Sequence, residues 1–348
     1  MSDRRPLPPQ QKSSALMRTS SSKLKVAVAI SWILLAGVPA AIAQTLKIPF
    51  AALSPNYAPL WIADQGGFFK KYGLDAQLIY ISAGSVIIPA LLSGQVDLAN
   101  MGSAPALTAW ARGAELVSVG VASNRLLHVV MTSTAIRKPE ELKGRKIGSD
   151  RYGSLSDLVL REALRYHNLA PDRDVAIIQT GGLPERLGAL KIGAVDGAIL
   201  TGDTAFQAEK LGFHTLIDLS QLPIQYPGST IVVSRAFLQS RRDTVKKFLR
   251  GWIEGIKTAK IDKEFTVRVL QRFLKTDDGE ILAKTFEVYK NVQEKIPYPD
   301  PKVMAIALKQ LSATVPQAGQ LKAEDFIDRT IIAELESEGF IARLYRGR

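Results

Sequence analysis

The sequence predicts an α/β protein of two similar lobes, each a sheet flanked by helices, with a helical C-terminal extension. Three observations predict it. From residue 46 onward, short β-like runs alternate with short helical ones, the pattern of layered α/β architectures with mainly parallel sheets. A nine-residue pattern, Leu91-x-x-Gly94-x-Val96-Asp97-x-Ala99, recurs 99 residues later as Leu190-x-x-Gly193-x-Val195-Asp196-x-Ala198. Each copy ends a helix at glycine, enters a strand through Val-Asp and leaves into a small-residue turn that opens another helix. Beyond Phe237 the periodicity is helical, with Gly and Pro breaks.

The elements follow in order. Residues 46–51 and 78–81 read as strands, and 58–69 and 86–92 as helices. Residues 96–99 form the next strand and 105–111 the next helix; 116–122 and 129–131 are strands. After a Lys- and Gly-rich link the pattern starts again: strand 146–149, helix 155–166, strand 175–179, helix 184–191, strand 198–201. Residues 230–233, Thr-Ile-Val-Val, are one more strand. In the tail, Val245, Phe248, Leu249, Trp252, Ile253 and Ile256 recur at helical spacing between Arg241, Arg242, Lys246, Lys247 and Arg250. That is a core-facing stripe with a solvated basic face.

The chain has 348 residues, 46% hydrophobic and 22% charged, enough for one large core or two modest ones. It has no cysteine, which excludes disulfides, thiolate metal sites, cysteine nucleophiles and an acylated N-terminal Cys. Lys23 and Lys25 precede an apolar run from Val26 to Val38, broken by Ser31. Pro39 follows, and Ala41-Ile42-Ala43 supplies a small-x-small site before Gln44. Residues 1–43 are therefore read as a cleavable signal peptide, translated from Met1 or Met17, and the mature protein as periplasmic. Those residues hold six Lys/Arg and one Asp, so the formal net charge falls from +12 to +7 on their removal. No nucleic-acid-binding motif accompanies the surplus.

Catalytic signatures are thin. His128, His167 and His214 are scattered, and no HExxH, GxSxG, Walker A or GxGxxG pattern occurs. No metal or cofactor is expected. What recurs is a helix start rich in small hydroxylic or amide residues: Ser54-Pro55-Asn56-Tyr57, Gly84-Ser85, Gly102-Ser103 and Gly153-Ser154. Each leaves unpaired N–H donors at the positive end of a helix, where an anion binds readily. Plain capping is the alternative, as in the Ser154/Asp157 capping box. If two lobes face each other, the turns at 102–105 and 202–205 share one cleft, outside the carboxyl ends of the strands.

Residues 56–63 (Asn-Tyr-Ala-Pro-Leu-Trp-Ile-Ala) and 67–75 (Gly-Phe-Phe-Lys-Lys-Tyr-Gly-Leu-Asp) resemble the opening of the nitrate/sulfonate/taurine-type periplasmic binding proteins of ABC importers. So do Leu92-Ser93-Gly94-Gln95-Val96-Asp97, the link from Glu140 to Gly148, and Gly153-Ser154 opening a helix. The resemblance covers nearly all of 45–260. It implies the two-lobed periplasmic-binding-protein (type II) fold, closing on its ligand like a clamshell. The crossings are placed near residues 133–136 and 226–229. Lobe I is then 45–134 plus 229–348, and lobe II is 135–228.

Carried across by motif, the ligand contacts are Asn56, Tyr57, Ser85 and Ser103 from lobe I, and Gly153, Ser154 and Asp203 from lobe II. Arg151 could add charge. Asp203 is either a partner for a ligand amine or the N-cap of its helix. Trp61 and Phe68 are read as core. The implied role is that of a monomeric, non-enzymatic protein binding a small anionic or zwitterionic solute, a sulfonate, taurine, nitrate or aromatic acid, and serving an ABC-importer membrane permease. Two alternatives stay open: a pyrimidine (thiamine-precursor) binding protein, or a synthase-like enzyme on the same fold. Transport and sensing are not separable from sequence.

Overall fold

A computed structural model describes residues 45–346; the expected signal peptide lies outside the described residues. Two five-stranded sheets form the frame. The first runs β2 (Ala76–Tyr80), β1 (Leu46–Phe50), β3 (Leu98–Met101), β10 (Ser229–Ser234), β4 (Leu116–Ser123). The second runs β7 (Ala176–Gln179), β6 (Lys146–Ser149), β8 (Gly197–Thr201), β5 (His128–Thr132), β9 (His214–Asp218). The two orders correspond strand for strand. In each sheet three strands pair parallel, and the fourth in the row, β10 or β5, runs antiparallel to both of its neighbours.

That fourth strand corrects the expected lobe boundary. The strand at 128–132 pairs with β8 and β9, so it belongs to the second sheet and not to lobe I. The chain crosses between the sheets at 124–127, ahead of the expected 133–136, and returns through 219–228. Each sheet thus takes its antiparallel strand from the segment beside a crossing. Strand β9 had no expectation in the sequence; only Ile217 of its five residues is buried, as befits an edge strand.

The repeated Val-Asp pattern has one physical role in both lobes. Asp97 Oδ2 accepts the Lys47 N–H at 2.7 Å, and Asp196 Oδ2 accepts the Lys146 N–H at 2.8 Å. Each carboxylate pins the start of its sheet's central parallel strand and satisfies a backbone donor there.

Helices follow the parallel strands: α1 (Ala58–Gln65), α2 (Gly84–Leu92), α3 (Ser103–Ala111), α4 (Leu155–Tyr166), α5 (Leu183–Lys191) and α6 (Gly202–Lys210). The single helix expected over 58–69 is two, α1 and Phe68–Lys71, because Gly67 takes φ 69° between them. The tail is helical, led by α7 (Arg242–Ile261), α8 (Lys263–Leu274) and α9 (Gly279–Val292). The α7 stripe from Val245 to Ile256 is fully buried. At Gly255 the helix lies so close to α1 that a Cβ would sit 2.2 Å from the Pro59 carbonyl oxygen.

Trp61 is buried and stacks on Phe273 with ring centroids 4.6 Å apart, while Phe68 is half-buried against the same core. The basic face of α7 is not simply solvated. Arg242 and Lys246 pair with Glu334, and Lys246 and Arg250 with Glu338, so the last helices neutralise it.

Candidate ligand-binding cleft

The carboxyl ends of the parallel strands in both sheets meet at one cavity. After β1 come Ala51, Ala52, Ser54, Asn56 and Tyr57; after β2, Gly84; after β3, Gly102 and Pro105. From the second sheet come Asp150, Leu155 and Ser156 after β6, Leu183 and Arg186 on α5 after β7, and Thr201 ending β8. His128 and Gly228 enter from the starts of the antiparallel segments. The walls leave a small cavity of about 40 Å³, room for roughly three water molecules at about 10–15 Å³ each.

The lobes touch around this space. Ser54 Oγ lies 3.2 Å from Thr201 Oγ1 across the gap. A Cβ on Gly102 would meet Leu155 Cδ2 at 2.5 Å, and one on Gly182 would meet the Tyr80 hydroxyl at 2.6 Å. A Cβ on Gly202 would meet Pro55 Cδ and the Tyr289 hydroxyl, each at 2.9 Å. The cleft is closed to within less than one methyl group.

Its charges come from lobe II. Arg186 is 2% exposed; its Nη1 donates to the Ile199 carbonyl at 2.7 Å and its Nε to the Gly182 carbonyl at 3.4 Å. Burial holds the guanidinium below its ordinary pKa, against the pull of Asp150. Asp150 is 7% exposed and accepts the Ser154 hydroxyl. Burial pushes its carboxyl up, and Arg186 opposes that. The two feel each other's charge, yet no salt bridge joins them among the described residues.

His128 Nε2 sits 3.4 Å from Ser156 Oγ while Nδ1 has no partner. Burial first, then Arg186, pushes its pKa down to about 3, so the ring is neutral. Tyr57 is buried beside the Gly102 backbone, and burial, then Asp150, push its hydroxyl above the usual range. Asn56 is 4% exposed with an unpartnered Oδ1.

Of the residues expected at the site, Asn56 and Tyr57 line the cavity; Ser85, Ser103, Gly153, Ser154 and Asp203 are not among its lining residues. Ser85 faces Gly153 at the lobe contact, where a glycine Cβ would be 3.9 Å from its Cβ. Ser103 is fully buried. Ser154 caps α4: its Oγ accepts the Asp157 N–H, and Asp157 Oδ2 accepts the Gly153 N–H at 2.8 Å. It also holds Asp150, so it stands behind the cavity wall. Arg151 is exposed. Asp203 is buried at the start of α6, with Gln207 on one oxygen and no partner on the other. Burial pushes its pKa up to about 7, and its charge acts on Tyr289 of α9.

The polar side chains of the cavity absent from the expected contacts are Ser54, His128, Asp150, Ser156, Arg186 and Thr201. Arg186 had a signal. Leu183, Leu187 and Leu190 are the buried positions of α5, and Arg186 sits on that same stripe as the one charged residue.

YtlA of Bacillus subtilis (strain 168), whose name calls it a binding protein and specifies no ligand, is 25% identical over 289 residues, covering 79% of this chain and 84% of its own. A 4-amino-5-hydroxymethyl-2-methylpyrimidine phosphate synthase of Aspergillus parasiticus is 25% identical over 228 residues, 60% of this chain and 65% of its own. The structure of the periplasmic aliphatic sulphonate binding protein SsuA from Escherichia coli superposes with TM-score 0.67 at 20% identity, covering 82% of this chain and 92% of that one. The architecture is thus the periplasmic-binding-protein fold. Residues 54–263 match the NMT1/THI5-like family, and the chain belongs to it.

Proposed function

We propose that the protein is the solute-binding component of an ABC importer. It closes its two lobes on a small anionic or zwitterionic solute and presents it to a membrane permease. Sulfonates, taurine, nitrate and aromatic acids are the first candidates. One observation carries the reading: a guanidinium buried in the cavity wall whose Nη2 makes no protein hydrogen bond among the described residues. A buried charge is costly unless partnered, and a ligand anion supplies the partner. Hinge closure gives a site that holds cargo and releases it when the lobes are parted.

A binding role fits the lining better than catalysis. The Ser156–His128 contact has no carboxylate orienting the imidazole, and a ring with a pKa of about 3 is a poor general base near neutrality. Export through residues 1–43 completes the proposal, with a mature N-terminus at or near Gln44. A thermal-shift screen of the candidate solutes tests the role. At 100 times its dissociation constant a true ligand adds about 2.7 kcal/mol of stability. No shift with any of them, in protein shown to be folded, refutes the anionic and zwitterionic class.

A further inference from the structure

Resting on that receptor reading, we infer that Asp150 sets the specificity of the cleft, so that it takes solutes carrying an N–H donor beside their anionic group and rejects bare oxoanions. Arg186 alone would make a cleft for any small anion. Asp150 shares the cavity with it, 7% exposed and unpaired with the guanidinium. It is arranged to accept, because the Ser154 hydroxyl and its own backbone N–H both donate to it. A carboxylate accepts about four hydrogen bonds, so capacity remains on the side facing the space.

A second acceptor stands on the opposite lobe. Asn56 lines the same cavity, and its Oδ1 is buried without a partner among the described residues. A bare oxoanion has only acceptors. It would satisfy Arg186 but bring no donor to Asp150 or Asn56, leaving buried acceptors unmet. A solute with an amine or amidine near its acidic group meets all three at once. The neutral His128 cannot substitute as a cation opposite Asp150. The cleft therefore discriminates by what an anion carries with it, and a structural likeness to a sulphonate-binding protein does not extend to accepting a sulfonate that lacks a donor.

The test uses matched probes that differ only by the amine: ethanesulfonate against taurine, and butyrate against 4-aminobutyrate, with nitrate added. Each is titrated by calorimetry into wild type, Asp150→Asn and Arg186→Met, with circular dichroism checking the fold. The wild type is expected to bind the amine-bearing member of a pair about tenfold tighter or better. In Asp150→Asn, which keeps an acceptor for Ser154, the amine-bearing member weakens and the amine-free member or nitrate gains about tenfold. Asp150→Ser repeats the measurement should the asparagine variant not fold. Wild type binding nitrate or ethanesulfonate as tightly as taurine overturns the inference but leaves the receptor reading standing. So does a pair ratio that Asp150→Asn leaves unchanged. Failure of every probe in wild type and variants alike, with the aromatic acids of the thermal-shift screen also silent, sinks the receptor reading and this inference with it; indifference of bound probes to Arg186→Met overturns the inference alone.

Discussion

The two walls of the cleft are built from corresponding strands, yet they contribute different chemistry. The lobe I wall is neutral: Ser54, Asn56, Tyr57 and the glycines at 84 and 102. The lobe II wall holds the acidic and basic side chains of the lining, Asp150, Arg186 and the neutral His128. The same sheet order and the same strand-pinning aspartate appear in both. Duplicated architecture thus fixes where a wall lies and leaves open what it carries. On the proposed binding role, lobe II would set the sign of the ligand, and lobe I would read its shape and its uncharged hydrogen-bonding groups.

The sharpest way to break this division is Arg186→Met. Affinity for an anionic solute should fall about a hundredfold, the worth of a charge-assisted hydrogen bond in a dry site. Stability should also drop by about 3 kcal/mol in urea denaturation, since the Ile199 and Gly182 carbonyls lose donors and Asp150 loses its compensating charge. A variant with normal affinity would mean that lobe II does not set the sign.

Titration sharpens the comparison within lobe II. Asp203, pushed up to about 7, keeps its proton in the folded protein while the unfolded chain releases it near pH 4, so its contribution to stability is lost as pH rises between about 4 and 7. His128, pushed down to about 3, takes no proton when the unfolded chain does, so its contribution is lost as pH falls from about 6.5 towards 3. The two oppose each other. Asp203→Asn should therefore lose stability relative to wild type on acidification from about pH 7 to 5, and His128→Gln should gain it, by on the order of 2 kcal/mol in each case. Parallel melting-temperature profiles for all three proteins would contradict this.

The smallest effect belongs to lobe I. Asn56→Ala should weaken ligand binding about tenfold, or about 1.4 kcal/mol, with little change in the urea midpoint, because its Oδ1 has no partner within the protein. A large stability loss with intact affinity would make Asn56 a structural residue.

Much of the fold was legible because it is local. Strand and helix alternate at short range, and helix starts such as Ser54-Pro55 and Gly153-Ser154 announce themselves through capping chemistry. Asn56 and Tyr57, which follow such a start, line the cavity. The sequence reading missed what is decided at a distance. His128–Thr132 looks like any apolar strand, and only pairing with β8 and β9 places it in the second sheet. Helix-start logic pointed at Ser154 and Asp203, whereas the cavity takes the strand-terminal Asp150 and a mid-helix arginine. Polar residues at helix starts satisfy the helix first, and Ser154 spends its hydroxyl on Asp157 and Asp150. Asp150 and Arg186 also make protein hydrogen bonds, but both remain in the cavity wall with hydrogen-bonding capacity to spare.

The contact between Gly102 and Leu155 has a further consequence. With 2.5 Å between a Cβ at position 102 and the leucine side chain of the opposite lobe, full closure tolerates no added thickness between the jaws. The pair acts as a feeler gauge. On the proposed role, a solute one carbon too deep would keep the jaws parted by its own bulk, however well its charges were met, and would never yield the shut outline that a membrane partner could recognise. Affinity and closure are then separate tests, and a molecule must pass both to count as cargo. A decoy that passes only the first would occupy the receptor as an antagonist.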